Sequence, residues 1–374
     1  MKLARTLSIL GLAAGASGAL LFQGCSSDDD NTTPPPNNND GGGQDGNSGG
    51  SLLHPPAPPS GAATGSTDER NFAINKLYLG TTDRDSTAAS DTAWTKFGYD
   101  LDNRASTKTS TDVCTPSGSK ADQEDGPQGI DNSFGKNVLP LLKLVAGTAQ
   151  EDINSAITDG AFTVLLDVKG LTDDAAQTAT GVGGLLLGGA KFSETAKPTF
   201  TASDDWPVLF DSVNSQSDAK SAKVQFPSGY VSNGVWVNGG TGDVALALVL
   251  QQGTVNLTIR KATITFEHSS PADAANGTIA GVIDTEEFIH GLDPVIAGLN
   301  YCSVFATVVD QIRAASDMLS DGTNTAGQNC NAISIGVGFT AKQIGQPTRV
   351  AAKAPPGQVK SCTSQDGGTG EAGP

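Results

Sequence analysis

Two adjacent stretches, VALALVL at Val244–Leu250 and VNLTIRKATITF at Val255–Phe266, decide the fold of this chain. The first is apolar throughout, which is typical of a strand that is buried on both faces. The second alternates apolar and polar residues, but its apolar phase shifts by one position after Ile259. Such a shift would turn every later side chain to the wrong face of the sheet. We therefore expect a β-bulge or tight turn at Arg260-Lys261.

Strand patterns recur on both sides of this pair. Asn233-Gly234 is a strong signal for a two-residue hairpin turn, and it leads directly into Val235–Val237. Gly181–Gly189 is rich in glycine but lacks the register of a dinucleotide fingerprint or a P-loop, so we interpret it as a buried strand or hairpin. The other predicted strands are Leu77–Leu79, Trp94–Leu101, Ala161–Val168, Gly184–Phe192, Trp206–Val213, Ala222–Phe226, Gly229–Val231, Thr278–Ile283 and Ala332–Phe339.

Helical spacing of apolar residues appears before and after the main strand region. The first predicted helix runs from Phe134 to about Ile157, and the last covers Ser303–Leu319. Between them, one helix is predicted to begin with a capping box at Asp284 and Glu287, and another to restart at Asp293-Pro294. Together with the strands they predict an α+β fold. Its architecture is an antiparallel β-rich sheet or sandwich with two to four helices packed on it.

The N-terminus has the pattern of a bacterial lipoprotein signal. Lys2 and Arg5 precede an uncharged run, Leu7–Phe22, and Gly24-Cys25 follows. The pattern predicts a signal peptide over residues 1–24 and lipid attachment, including palmitate, at Cys25. An ordinary secretory signal that is cleaved elsewhere is one alternative. A transmembrane anchor is another, but a helix of about 16 residues covers only about 24 Å of a hydrocarbon core of about 30 Å.

Composition divides the rest of the chain into three parts. Residues 25–69 are rich in Ser, Asp, Asn, Pro and Gly and are predicted to be a disordered tether. Residues 70–353 are predicted to form a single globular β-rich domain, and residues 354–374 a flexible tail. Ser26 after the lipidated cysteine points to the outer membrane by the common sorting rule. The predicted location is therefore the cell envelope, with a lipid anchor in the outer membrane.

The charge balance of the chain limits its partners. The formal net charge is −17, from 40 acidic and 23 basic residues. This balance argues against nucleic acid as a partner and against electrostatic docking on anionic lipid. The expected partner is the membrane, through the lipid anchor, while the sequence names no protein or glycan partner.

Four cysteines follow Cys25, and an even number in an exported chain predicts two disulfides. Three connectivities are possible. We favour Cys302–Cys330, which closes a unit of helix and loop, and Cys114–Cys362, which ties the tail to an early loop. A zinc site is the alternative, but no CxxC or histidine spacing supports it.

An acidic stretch before the first predicted helix is the candidate metal site. Closely spaced carboxylates and two glycines suit Ca²⁺, which takes six to eight oxygen ligands on a turning loop. The candidate ligands are Asp122, Glu124, Asp125, Asp131 and Asn132, and Asp83, Asp85, Asp100 and Asp102 could join from neighbouring turns. The alternative is a solvated acidic loop in which Asp131 or Asn132 caps the helix. No cofactor other than calcium is indicated.

The sequence contains no recognisable catalytic motif. Outside the tether, the histidines are His268 and His290, and the domain contains no GxSxG elbow. Glu286 and His290 have helical spacing but do not form an HExxH pair. The pattern favours a non-enzymatic binding or structural module of unknown ligand. The alternatives are a calcium-binding surface protein and a cell-surface hydrolase that uses paired carboxylates.

Four short motifs support the export prediction. They are Trp94–Asp102 (WTKFGYDLD), the loop at Cys114, Asp125–Asn132 (DGPQGIDN) and Thr158–Phe162 (TDGAF). In this combination the chain resembles lipoproteins of myxobacterial type, over most of residues 75–340. The resemblance implies an exported lipoprotein without an established activity, and it adds no catalytic residue.

Overall fold

The stretch Val255–Phe266, which dominates the sequence pattern, lies in the longest strand of the structure. The structure is a computed structural model, and it describes residues 51–61, 63–117, 123–145, 148–250, 253–270, 272–353 and 360–362. The longest strand is Gly253–Ser270. Within the described residues, eleven strands form one curled antiparallel sheet, and four α-helices accompany it. The predicted α+β class is confirmed.

The sheet is built mainly from long antiparallel neighbours. The strands are β1 Glu69–Tyr78, β2 Thr163–Lys169, β3 Ala179–Thr180, β4 Gly184–Gly189, β5 Val224–Phe226, β6 Tyr230–Ser232, β7 Val235–Val237, β8 Gly242–Leu250, β9 Gly253–Ser270, β10 Asp273–Asp284 and β11 Ala332–Ile344. Their order is β3-β6-β7-β9-β10-β11-β1-β2-β4-β5, and β8 also pairs with β9. The helices are α1 Leu139–Val145, α2 Ala149–Thr158, α3 Thr285–Gly298 and α4 Cys302–Ala314.

Lys261 carries the bulge that the phase shift predicts. Its φ is 54°, and the registers of β9 with β8 and with β10 both shift at this point. Because β9 has an extra residue here, Ile259 and Ala262 both face the core, and both are fully buried. The prediction of a bulge at Arg260-Lys261 is confirmed.

The hairpin and the apolar strand before the bulge are also present. Asn233 and Gly234 have φ values of 48° and 78°, as a type I′ turn requires. β8 contains the predicted strand Val244–Leu250. At its start Val244 is buried and Ala245 is exposed, so this part of β8 is buried on one face and not on both.

Two predicted strands are wrong. Within Trp94–Leu101 the chain makes a 3₁₀ turn at Ala93–Lys96, and Gly98 has a φ of 125°, which a strand does not allow. Trp206–Val213 contains the 3₁₀ turn Phe210–Ser212 and isolated bridges in place of a strand. Tertiary packing outweighs the strand pattern in both segments, because it buries Phe97 and Trp206 completely.

The helix boundaries also differ from prediction. The first predicted helix is divided into a π turn at Phe134–Val138 and the helices α1 and α2. The restart at Asp293-Pro294 is wrong, because α3 continues through Pro294. Proline costs a helix interior about 3 kcal/mol, but the neighbouring Leu292, Val295 and Ile296 are buried in the core. The last helix ends at Ala314, after which Met318 forms a bridge with Ala332.

The main core lies between the sheet and its helices. On β11, alternate residues such as Ile333, Ile335 and Val337 belong to this core together with Phe288 of α3. The residues between them face the opposite side of the sheet. A second, smaller core on that side contains Trp206 and residues of β1, β2 and β4.

The disulfides pair differently from our prediction. Cys114 bonds to Cys330 and Cys302 bonds to Cys362, with Cα–Cα distances of 5.2 and 5.1 Å. The backbone of Thr115 exchanges hydrogen bonds with the loop before β11, and this contact brings Cys114 to Cys330. Disulfides of this kind are typical of proteins outside the cytoplasm. The prediction of two disulfides is confirmed, while both predicted pairings are wrong.

The ends of the chain are described in part. Residues 1–50, with Cys25 and the predicted signal peptide, lie outside the described residues, as do 354–359 and 363–374 of the predicted tail. The last part of the predicted tether contacts the domain: Leu53 N donates to Gln128 O and Asp100 N to Leu53 O, both at 2.9 Å. None of the helices in the described ranges has the length and hydropathy to cross a membrane.

The bulge leads to a testable prediction at Lys261. A β-branched residue at positive φ is strongly disfavoured, so Lys261→Val should lower the free energy of unfolding by about 1–2 kcal/mol. Lys261→Gly should leave it within about 0.5 kcal/mol of the wild type. Urea titration measures these changes, and Thr263→Val, two residues along the same strand, is the control with no expected loss. Equal effects of the two valine substitutions would contradict the assignment of the bulge.

Candidate cation site

The candidate site is built on the edge of β11. β1 pairs with β11 only as far as Gly338. Beyond it, Asn132 donates to Gly336 O and accepts from Gly336 N, both at 3.1 Å, and Asp317 accepts from Ser334 N at 2.7 Å. Two side chains thus replace a neighbouring strand, since buried backbone groups need partners. These bonds hold the acidic loop on the sheet.

Asn132 fastens this loop at several further points. Its amide nitrogen donates to Trp94 O and Phe97 O at 3.1 and 3.0 Å, and its oxygen accepts from Gly135 N at 2.9 Å. The side chain is buried and its amide is fully engaged with backbone groups. Its bond to Gly135 N is that of a helix-capping side chain, as our alternative interpretation expected, but the residue is buried, whereas that interpretation placed it in a solvated loop.

Three aspartates converge beside this anchor. Asp100, Asp102 and Asp131 each present one carboxylate oxygen, and these three oxygens lie within 4.8 Å of one another. Asp100 and Asp131 are buried, and Asp102 is half-buried. Ca²⁺–oxygen distances of about 2.3–2.6 Å place oxygens on opposite sides of the ion about 4.6–5.2 Å apart. The spacing of the three oxygens therefore fits a bound Ca²⁺.

Two of these carboxylates have an oxygen without a hydrogen-bond partner in the described part of the chain, Asp100 Oδ2 and Asp102 Oδ1, and both atoms are buried. The Asp100 side chain has no exposed surface, and His54 Nε2 lies 3.5 Å from its Oδ2. The second oxygens are bonded, to Arg104 N and to Asn324 Nδ2 respectively. Buried carboxylate oxygens without hydrogen-bond partners are costly, and the ion pair with His54 reaches only the oxygen of Asp100, which points to a ligand between them.

The electrostatics of the site support the same interpretation. Burial raises the pKa of Asp125 to about 8, that of Asp317 to about 7 and that of Asp100 to about 6. Burial, followed by the charges of Asp125 and Asp102, also raises the pKa of Asp131 well above its ordinary value. The site thus gathers like charges where water solvates them poorly. A divalent cation would offset this repulsion.

The predicted ligands are only partly brought together. Asp131 is one of the three converging residues, and Asp125 is hydrogen-bonded to it and to Ser106 N. The carboxylate of Glu124 is in ion pairs with Lys108 and Lys136, at 3.6 and 3.7 Å. Asp122 lies outside the described residues.

Some residues of the site lie outside the acidic stretch that the sequence analysis singled out. Asp100 and Asp102 join it from a neighbouring turn, as we considered, and their Asp-x-Asp spacing is the signal in the sequence. Asp83 and Asp85 are not in this group of three, which is drawn from the described residues. Sequence reasoning missed Asp317 and Asn324, because they are more than 200 positions from Asp102 along the chain.

A cavity of about 270 Å³ opens beside the site. Its lining includes Asp100, Tyr99 and Lys261, together with Pro55 from the segment before β1. A metal site needs a path by which the ion enters. The cavity gives solvent access to the vicinity of Asp100.

The two histidines of the domain have different surroundings. His268 is fully buried, and neither of its ring nitrogens has a partner within the described residues. His290 is exposed on α3, where the neighbouring Glu286 binds Arg313 at 2.7 Å. Neither arrangement resembles a nucleophile beside its base.

A separate carboxyl pair lies on the opposite side of the sheet from the helices. Asp167 of β2 is buried and hydrogen-bonded to Glu69 of β1, which also binds Lys220. Burial, and then the charge of Glu69, raise the pKa of Asp167 to about 7. Burial opposes the ionisation of Glu69, but its bonds to Lys220 and Asp167 lower its pKa overall. The shifts have opposite directions, so between the two pKa values Asp167 is the carboxyl that holds a proton and Glu69 is ionised.

Comparison with protein-family models, with curated proteins and with solved structures finds no match for this chain. The resemblance to lipoproteins of myxobacterial type and the binding of calcium therefore stay predictions.

The raised pKa of Asp167 predicts that the folded protein loses stability as the pH rises. Its pKa of about 7 in the folded state lies above the ordinary 3.8, so the contribution of Asp167 to stability falls as pH rises from about 4 to about 7. Asp167→Asn keeps a donor for Glu69 and removes this titration. The variant should be more stable than wild type by about 1–3 kcal/mol at pH 8, with no gain at pH 4. Urea unfolding across this pH range is the measurement, and an equal gain at pH 4 and pH 8 would refute the raised pKa of Asp167.

Proposed function

We propose that this protein is an exported lipoprotein, anchored through Cys25, whose domain is a non-enzymatic calcium-binding module. One observation carries the cation assignment. Asp100 Oδ2 and Asp102 Oδ1 are buried without hydrogen-bond partners in the described part of the chain, and they belong to carboxylates that converge with Asp131.

The donor set favours calcium over other ions. All three converging side chains supply oxygen, the ligand that Ca²⁺ and Mg²⁺ prefer, whereas Zn²⁺ favours nitrogen and sulfur. Mg²⁺ requires near-octahedral geometry with distances of about 2.0–2.1 Å and usually keeps several waters, whereas Ca²⁺ accepts six to eight oxygens in flexible geometry, as several carboxylates on loops can offer. Backbone carbonyls and water would complete the coordination.

The proposed role of the ion is structural. Asp131 lies in the loop that Asn132 holds at the edge of β11. Asp100 lies in a neighbouring turn, and its N donates to Leu53 O in the last part of the predicted tether. A cation held by these aspartates would fix the loop, the sheet edge and the start of the domain relative to one another. The proposed ion would thereby stiffen the start of the described domain.

The export part of the proposal rests on the sequence and the disulfides. The chain begins with a lipoprotein signal pattern, and both disulfides suit an extracytoplasmic location. The hydrolase alternative gains no support from the carboxyl pair. Glu69 and Asp167 contact each other directly, and the second oxygen of Asp167 is shielded from solvent.

Calcium should stabilise the folded protein. An ion that binds only the folded state contributes RT ln(1 + [L]/Kd), about 2.7 kcal/mol at a hundredfold excess over Kd. We expect the melting temperature in millimolar CaCl2 to exceed that in EGTA by about 5 °C, and MgCl2 to give a smaller rise. Differential scanning calorimetry measures both.

A substitution in the site should separate binding from folding. Asp102→Asn should abolish the response to CaCl2 and raise the melting temperature in EGTA, because it relieves like-charge repulsion. Asp85→Asn is the matched control, since Asp85 is exposed and the charge change is the same. If wild type melts at one temperature in CaCl2 and in EGTA, the cation proposal is wrong.

Lipid attachment has its own test. Cells that express the full chain should incorporate labelled palmitate into it, and Cys25→Ala should remove the label. Ser26→Ala changes the next residue without removing the thiol, so it should keep the label. An unlabelled wild-type product would refute the anchor while leaving the cation proposal intact.

A further inference from the structure

Asn324 connects the candidate cation site to a disulfide. Its Nδ2 donates to Asp102 Oδ2 at 2.8 Å, and its Oδ1 accepts from Cys114 N at 2.7 Å. The first contact orients a carboxylate of the site, and the second joins it to a half-cystine. Both polar ends of this half-buried amide are thereby used.

A second contact joins the same two features. The carbonyl oxygen of Asp317 lies 3.4 Å from Cys114 Sγ, and the carboxylate of Asp317 holds Ser334 at the edge of β11. The charge of Asp102 also acts on Asp317. Cys114 of the disulfide thus contacts two residues, Asn324 and Asp317, that both interact with Asp102.

The Cys114–Cys330 bond determines where these contacts lie. Cys330 immediately precedes β11, and Thr115 N donates to Gln328 O while Cys330 N donates to Thr115 O, at 2.7 and 2.9 Å. These three bonds hold the chain at Cys114 against the loop that carries Asn324. Opening the disulfide would remove the covalent link and leave hydrogen bonds to hold this position, among them the two of Thr115 and the one from Cys114 N to Asn324.

We propose that the Cys114–Cys330 disulfide controls the affinity of the cation site, with Asn324 as the positioning residue that couples them. This inference rests on the proposed cation binding. A dithiol reductant delivers two electrons and two protons, breaks the S–S bond to give two thiols, and is itself oxidised to a disulfide. Asp102 then loses the restraint that orients it, and the site binds its ion more weakly.

Thermodynamic linkage makes the coupling reciprocal. If the closed disulfide strengthens cation binding by a given factor, bound cation favours the closed disulfide by the same factor. Orienting partners of metal ligands typically change metal affinity by about 10–100-fold. We therefore expect at least a tenfold effect in each direction.

The experiment measures the Kd for CaCl2 by isothermal titration calorimetry. Asn324→Ala and the pair Cys114→Ser with Cys330→Ser should each weaken binding about tenfold or more, and combining them should add little, because both remove one coupling. The matched control is Cys302→Ser with Cys362→Ser, which opens the other disulfide. It joins α4 to the segment bonded to Asp293 of α3, and its Kd should stay within about twofold of the wild type.

A second measurement covers the case in which the cysteine variant does not fold. In the wild type, the dithiol concentration that reduces Cys114–Cys330, followed by thiol alkylation and mass spectrometry, should rise in CaCl2 relative to EGTA. In Asn324→Ala this difference should disappear. The coupling alone is overturned if the wild type and Asn324→Ala bind Ca²⁺ with the same Kd, and if the wild-type disulfide is reduced at the same dithiol concentration in CaCl2 and in EGTA. A wild type that binds no Ca²⁺ overturns the proposed function itself.

Discussion

The hydrogen bonds at the edge of β11 are the constraint on which the site depends. β1 stops pairing at Gly338, and the buried backbone groups beyond it still need partners. Asn132 and Asp317 supply them with side chains. Because each of these residues belongs to a loop, satisfying the strand edge also brings two loops together. The acidic group forms where the loop of Asn132 meets the neighbouring turn that carries Asp100 and Asp102.

This arrangement places negative charge where solvation is poor. Burial raises the pKa of several aspartates there, and like charges within a few ångströms repel each other in a medium of low dielectric constant. A protein that keeps such a group usually compensates it with a counter-ion or a function. The proposed cation provides that compensation, and the nearby disulfide limits how far the loops can separate without it.

Most of the sheet could be predicted, because its signals are local. The bulge at Lys261 follows from a phase shift within a few residues, and the hairpin at Asn233-Gly234 follows from a dipeptide. The same reasoning failed where packing decided the outcome. α3 runs through Pro294 because its neighbours are buried, and Trp206 lies in a second core on the other side of the sheet.

The sequence by itself determined the α+β class, the phase of β9, the even number of cysteines and the presence of an acidic loop. These properties depend on composition or on residues a few positions apart. Only the tertiary structure decided which cysteines pair and which aspartates converge. Cys114 and Cys330 are separated by 216 positions, and Asn324 reaches Asp102 across 222. No periodicity encodes such contacts, because they arise from the way buried strand edges and loops satisfy each other's hydrogen bonds.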